Sequence, residues 1–356
     1  MDDKLIYGIQ QVGIGVPDAE EALQWYASRL GYDVPIFDDS NTATYMAPYM
    51  GGQPHKKRAL LAMNLQGGSG VELWQYLDRK PLHSLEPFRL GVLGINIAKI
   101  KTRNIQKAYS RLKQQKVNLL TGIINTPDET PCFYIKDLYE NIFQLLESSD
   151  WYADYKKDTG GICGSIIGVS DIDCSLKIYA DILGYSNILY DKTGFFDDFY
   201  QLPEGDEKFR RILLTHDSNR TGGFAQLLGT SQIELIQSIN KKHPHIFYNR
   251  YWGDLGFIHL CFDIRNMQAL VRECAQKGFP FKVLSNDSFK MGQANGYWGY
   301  IEDTDGTLIE FVETHKVPLL KKINWNINLT KRDPHKPLPR WLIKAMSLRR
   351  IKFTRP

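Results

Sequence analysis

The sequence predicts an α+β protein assembled from four copies of one strand–helix–strands module. Two internal repeats and a shared turn-plus-strand ending carry that prediction. Val16-Pro-Asp-Ala-Glu-Glu-Ala-Leu-Gln-Trp-Tyr-Ala-Ser-Arg-Leu-Gly-Tyr32 and Val169-Ser-Asp-Ile-Asp-Cys-Ser-Leu-Lys-Ile-Tyr-Ala-Asp-Ile-Leu-Gly-Tyr185 share Val, Asp, Leu, Tyr, Ala, Leu, Gly and Tyr at a constant offset of 153. The stretch 91–105 recurs at 253–267, an offset of 162, with Gly, Leu, Gly, Arg and Asn kept. Repetition at this scale marks a chain built from one structural unit.

Each copy of the first repeat reads as a strand that stops at an aspartate. Asp18 and Asp171 can accept hydrogen bonds from free N–H groups of the following turn, and so cap a short amphipathic helix. Gly31 and Gly184 end those helices, because glycine adopts the left-handed conformation without steric cost. The second repeat continues into helices over about 104–116 and 266–277. It closes with Asp137-Leu-Tyr-Glu-Asn-Ile-Phe-Gln144 and Asp303-Thr-Asp-Gly-Thr-Leu-Ile-Glu310. Asp-x-Asp-Gly is turn chemistry, which assigns Asp303 and Asp305 to a turn, and the alternating apolar residues after it suit a half-buried strand. The modules span about 5–80, 90–148, 160–240 and 254–315. Segments 36–59 and 186–224 are rich in Gly, Asp and Tyr and read as loops or irregular hairpins. The polar stretch 149–160 reads as a linker between 5–148, holding modules one and two, and 161–315, holding modules three and four.

At 356 residues, with 43% hydrophobic and 24% charged side chains, the chain falls in the range of two-domain globular proteins and outside the disordered and fibrous classes. It contains no apolar run of about 18 residues, the length of a membrane span. The start lacks a basic and then apolar leader, and five scattered cysteines without a C-x-x-C pair suit reduced core thiols. A cytoplasmic location is therefore expected. From Lys316 to Pro356 there are 12 Lys/Arg and one acid, Asp333, whereas the first 315 residues hold 32 basic and 39 acidic side chains. The acidic body gives no support to nucleic-acid binding. The basic tail 316–356 includes a helical stretch that places Leu342, Ala345, Met346 and Arg349 on one face. Two roles are open to it: contact with an anionic membrane surface or acidic partner, or docking on the body of its own chain.

The pattern of a strand leading to Val-x-Asp, a helix ending Leu-Gly-Tyr, and strands ending Asp-x-Asp-Gly-x-x-Ile-Glu resembles the vicinal oxygen chelate superfamily. Glyoxalase I, extradiol dioxygenases and bleomycin-resistance proteins belong to it, and the resemblance covers 5–315. It implies βαβββ modules paired into two eight-stranded open barrels. It also implies metal ligands from the first and last strand of a module. The matching positions are Gln11 and Glu72 in module one, Ile97 and Gln144 in module two, Gly164 and Glu234 in module three, and His259 and Glu310 in module four. Gln11, Glu72, His259 and Glu310 resemble the ligand set of glyoxalase I. Pairing module one with four, and two with three, gathers them into one site, and this pairing is expected. Pairing neighbours along the chain would split them.

One imidazole, one amide oxygen and two carboxylates suit a divalent Zn, Ni, Co, Mn or Fe ion. The resemblance implies that such a centre acts on a small substrate with adjacent oxygens, with Glu310 as general base and Glu72 opposite it. A single histidine on an apolar strand is more often a packed core residue, so His259 gains weight only from its three companions. Gln10 stands beside Gln11, and a one-residue slip would exchange them. Trp74, Tyr76, Trp252, Tyr297 and Trp298 can line a pocket or pack a core. Two arginines that hold glutathione in glyoxalase I are replaced by Gly15 and Leu255, which speaks against that substrate. The superfamily's dioxygenases use two histidines and a glutamate from the second half of the chain, but Gly164 stands where the first histidine belongs. The leading reading is a metal-dependent lyase or isomerase. An Fe(II) dioxygenase and a small-molecule binding protein of the bleomycin-resistance type are the alternatives, and a monomer or homodimer is expected.

Overall fold

The computed structural model describes residues 4–351 except 85, 217–219, 286–289, 292–293 and 321–324. Parts of the basic tail (321–324 and 352–356) therefore lie outside the described residues. Module one comprises β1 (Leu5–Gly15), α1 (Ala19–Leu30), β2 (Val34–Thr42), β3 (Lys56–Met63) and β4 (Gly70–Tyr76). Module two comprises β5 (Gly94–Thr102), α2 (Ile105–Gln114), the short β6 (Asn118–Leu119) and β7 (Ile124–Asn125), β8 (Pro131–Lys136) and β9 (Ile142–Glu147). Module three runs through β10 (Thr159–Gly168), α3 (Ile172–Tyr179), β11 (Asn187–Gly194), β12 (Phe209–Thr215), α4 (Ala225–Leu228) and β13 (Gln232–Ser238). Module four follows as β14 (Gly256–Arg265), α5 (Met267–Gln276), β15 (Val283–Leu284), β16 (Lys290–Met291), β17 (Ala294–Glu302) and β18 (Leu308–Leu320), with β19 (Trp325–Asn328) and α6 (Arg340–Met346) after it.

The helices begin and end where the local chemistry requires. Asp18 accepts from the N–H groups of Glu20 and Glu21 at 2.8 and 3.0 Å, and Gly31 closes α1 at φ 82°. Asp171 accepts from Cys174 N–H at 2.9 Å in the same way. The segments 36–59 and 186–224, expected as loops or irregular hairpins, each hold two antiparallel strands joined by a long connection. β2 pairs β3 through Thr42–Lys56, and β11 pairs β12 from Asn187–Thr215 to Gly194–Phe209. Their polar composition reflects exposure at sheet edges, where charged side chains face water without breaking the ladder.

Two mixed sheets result. One has the order β15-β17-β18-β14-β1-β4-β3-β2, with β16 and β19 alongside; the other has the order β11-β12-β13-β10-β5-β9-β8-β6, with β7 alongside. Each principal path thus has eight strands. The first sheet joins modules one and four through the antiparallel pair β1–β14, and the second joins modules two and three through β5–β10. The stretches 5–148 and 161–315 therefore each give one module to each sheet. Alternation along the central strands divides their side chains in two. Val12, Ile14, Val71, Leu73, Leu260, Phe262, Ile309 and Phe311 join a core that also takes Ile100, Phe143, Ile167 and Leu235 from the second sheet. The opposite faces line the two cups.

Leu338, Leu342 and Ile343 of the tail are buried against Tyr7, Leu61 and Met63. Arg350 lies 3.6 Å from Asp33, and Ile351 N–H donates to the Asp33 carbonyl at 2.8 Å. Ile343, rather than Ala345, shares the buried face with Leu342, while Trp341 and Leu348 are exposed. The five cysteines are free thiols. Among the described residues no helix is long and apolar enough to cross a membrane.

Candidate metal centre

In the first cup, Gln11 on β1, Glu72 on β4, His259 on β14 and Glu310 on β18 converge from four neighbouring strands. The ligand atoms of Glu72, His259 and Glu310 lie within 4.8 Å of one another, and all three residues are buried. Gln11 Nε2 donates to Glu72 Oε2 at 3.1 Å and approaches Glu310 Oε2 at 3.4 Å. Two irregularities in β1 make this possible. The register against β14 shifts between Ile9 and Gln11, and again between Gly13 and Ile14. The first shift sets Gln11 opposite Cys261 and leaves Gln10 in the bulge, where Gln10 Nε2 reaches Asp263 Oδ1 at 3.4 Å. Bulges of this kind re-aim side chains.

Gly13 pairs with His259, and a Cβ there would sit 2.4 Å from the imidazole Cε1. Only glycine leaves room for the ring. His259 Nε2 lies 3.1 Å from an oxygen of each glutamate, yet meets the directional requirement of a hydrogen bond with neither. Tyr300 Oη lies 3.3 Å from Nδ1, and the Trp252 ring stacks on the imidazole at 20°. A partner on Nδ1 orients the ring and leaves Nε2 for the cup.

The electrostatics follow from burial. Desolvation is the largest influence on Glu310 and pushes its carboxyl upward, with Glu72 adding to the rise and the His259 charge opposing it. Desolvation disfavours a charged His259, but Glu310 and Glu72 outweigh it and hold the imidazole above its ordinary value. The two buried carboxylates have at most one imidazolium in contact, and the Lys57 ammonium on the same cavity makes no ion pair with them within 4.0 Å. The cup floor is therefore short of paired positive charge, and a buried unpaired charge is costly. Gln11 Oε1 also has no partner among the described residues. Turning the amide over would aim that oxygen at the carboxylates, which favours a cation between them; amide nitrogen and oxygen are assigned from just such networks. This donor set of imidazole nitrogen, amide oxygen and carboxylates fits a divalent ion.

The second cup is the control. At the equivalent positions stand Ile97, Gln144, Gly164 and Glu234. A Cβ at Gly164 would lie 2.1 Å from the Gln232 carbonyl, so no histidine fits there. Glu234 is held by two cations that the ligand spacing does not single out. Lys99 Nζ lies 2.7 Å from Glu234 Oε2, and the Arg211 guanidinium bridges Glu234 at 2.5 Å and Asp198 at 2.6 Å. Tyr190 Oη adds a hydrogen bond at 2.7 Å. Burial would raise Glu234, but Arg211 and Lys99 overcome it and bring its carboxyl down to about 2. Lys99, Arg211, Glu234 and Asp198 sum to zero charge, so this cup carries its own cations. Lys99 sits one strand period beyond Ile97, and that was the available signal.

The remaining expectations fall into place around the first cup. Trp74, Trp252 and Trp298 line a cavity of about 60 Å³ above Glu72 and Glu310. Tyr76 donates to the Trp252 carbonyl at 2.6 Å, whereas Tyr297 packs outside, edge-on to His315. Asp303 accepts from the N–H groups of Asp305 and Thr307 and shapes the turn. At Gly15 a Cβ would lie 2.0 Å from the Asp254 carbonyl, so no arginine can occupy that position.

Fold and site together define a protein of four paired βαβββ-type modules with one candidate metal centre. Residues 166–297 match the family model described as Glyoxalase/Bleomycin resistance protein/Dioxygenase superfamily. The structure is similar to that of a putative dioxygenase from Bacillus subtilis subsp. subtilis str. 168, with 12% identity, 98% of each chain covered and a TM-score of 0.58. It is also similar to that of glyoxalase I from Zea mays, with 13% identity, 87% of this chain and 92% of that chain covered, and a TM-score of 0.52. No curated protein matches the sequence. The family match falls on modules three and four, and the solved structures share the fold of nearly the whole chain.

Proposed function

We propose that the chain is a divalent-metal-dependent lyase or isomerase of the glyoxalase I kind, acting on a small substrate with two neighbouring oxygens. The observation that carries this is the convergence of Gln11, Glu72, His259 and Glu310 on a cup floor short of paired positive charge. These four residues would hold the ion, with Zn, Ni, Co, Mn and Fe all compatible with the donor set. A bound divalent ion supplies Lewis-acid stabilisation to a carbonyl or enediolate oxygen. Glu310 is suited to take a proton from the carbon beside that carbonyl, because burial raises its proton affinity. Glu72 faces it, and Tyr300 fixes the imidazole. Trp74, Trp252 and Trp298 put apolar surface beside Glu72 and Glu310, where a lower local dielectric strengthens the electrostatics.

Gly15 and Leu255 offer no cation to glutathione, so another thiol or a thiol-free substrate is expected. The test is turnover of α-oxoaldehyde adducts of several thiols by metal-stripped and metal-restored protein. Activity that returns with metal and vanishes in Glu310→Gln supports the proposal. Iron-dependent oxygen consumption would instead identify a dioxygenase. Ligand affinity indifferent to metal would identify a binding protein of the bleomycin-resistance type.

A further inference from the structure

One cation in the first cup has no protein partner. Lys57 stands on β3, whose antiparallel register sets Lys57 opposite Tyr76, Ala59 opposite Trp74 and Leu61 opposite Glu72. Directly paired residues share a face of the sheet, so Lys57 lies on the inner face, nearer the rim than Glu72. Ala59 between them leaves the way open. Lys57 lines the same cavity as Glu72, Glu310, Trp298 and Tyr300.

Its ammonium makes no hydrogen bond and no ion pair within 4.0 Å with any described residue, although the charges of Glu72, Asp39 and Glu310 all act on it. Other cationic side chains near this cup are engaged. Arg58 bridges Asp38 and Glu20, and Arg79 binds Asp254. Lys57 is half-buried, and burial lowers its proton affinity against the pull of Glu72, Asp39 and Glu310. A partly desolvated ammonium without a protein partner is one that an anionic ligand would complete. The gap between Lys57 and the two glutamates is bounded by aromatic walls and holds about 60 Å³. That is the room of a few heavy atoms.

We infer that the substrate carries a carboxylate, and that Lys57 receives it while the neighbouring oxygens face Glu72, His259 and Glu310. The inference rests on the metal-centre reading above and adds the substrate's charge to it. Lys57 then acts as a specificity residue that favours acids over their neutral analogues. A phosphate dianion is larger and more strongly hydrated, and a cavity of about 60 Å³ suits it less.

The experiment is a cycle of two probes and three proteins. Pyruvate and pyruvamide, which differ in the carboxylate, are titrated calorimetrically into metal-loaded wild type, Lys57→Met and Lys57→Arg, with metal content measured in each. A hydrogen-bonded charge pair corresponds to roughly ten- to hundredfold in affinity. Lys57→Met should therefore lower the pyruvate-to-pyruvamide affinity ratio by about that factor, and Lys57→Arg should retain most of it. An unchanged ratio in Lys57→Met, or no binding of pyruvate to metal-loaded wild type, overturns the inference while leaving the metal centre standing. If Lys57 only neutralised Glu72 and Glu310, its loss would alter metal affinity and affect both probes alike. Absence of metal from all three proteins would overturn the underlying reading instead.

Discussion

Replacing Arg211 with methionine isolates the charge argument that separates the two cups. Arg211 is fully buried, contacts Glu234 at 2.5 Å and Asp198 at 2.6 Å, and lies 3.6 Å from the Phe199 ring centroid. Methionine keeps much of the apolar stem but removes the guanidinium. Glu234 would keep Lys99 at 2.7 Å, while Asp198 would keep only the Tyr134 hydroxyl at 3.2 Å. Removing one partner of a buried ion pair costs about 3–5 kcal/mol, because the other charge stays buried without compensation. Urea unfolding at pH 7 should show that loss as a lower midpoint with an unchanged slope. A loss below about 1 kcal/mol would refute the view that this cup is a self-neutralised ion quartet.

Further outcomes follow from the same structure. Glu234 is held at about 2 against an ordinary 4.5, so its contribution is fully present above pH 4.5 and is lost as pH falls toward 2. That contribution is roughly 3 kcal/mol, and stability measured between those limits should lose it in wild type but not in Glu234→Gln. Gly13→Ala should displace the His259 ring, weakening metal affinity at least about tenfold and costing about 1–3 kcal/mol through overpacking; metal titration and urea unfolding read the two effects. Asp18→Ala should cost about 1 kcal/mol in thermal unfolding through the lost helix cap. Truncation after residue 330 should lower stability by roughly 1.5–3 kcal/mol for each of Leu338, Leu342 and Ile343, visible as a lower unfolding midpoint.

The repeats made the modules legible because α1 and α3 carry cap signals, Asp18 and Asp171 at their starts and Gly31 at the end of α1; α3 instead stops at Tyr179 with Ala180 as its cap, short of Gly184. The four candidate ligands were legible through the family resemblance, which points to the first and last strand of a module; the repeats supplied the matching positions. The edge strands β2 and β11 were not, since their polar residues face water and turn composition cannot be told from edge composition. Gln11 could not be separated from Gln10 by alternation alone, because a bulge decides between them and a bulge leaves no period in the sequence. Lys99 and Arg211 escaped notice for a related reason. Arg211 meets Asp198 and Glu234 within module three but on an arrangement of strand and connection that alternation does not mark, and only the pairing of module two with module three brings Lys99 to Glu234. The tail's apolar residues showed a helical face, but its receiving surface is built from Tyr7, Leu61 and Met63, more than 250 residues earlier.

Metal content of the purified protein tests the central claim most directly. The donor sets of the two cups predict about one divalent ion per chain in wild type. They predict loss of that ion in His259→Ala with Glu310→Ala, and retention in Glu234→Gln. No ion in wild type after reconstitution, or an ion that depends on Glu234 rather than on His259 and Glu310, would contradict the account.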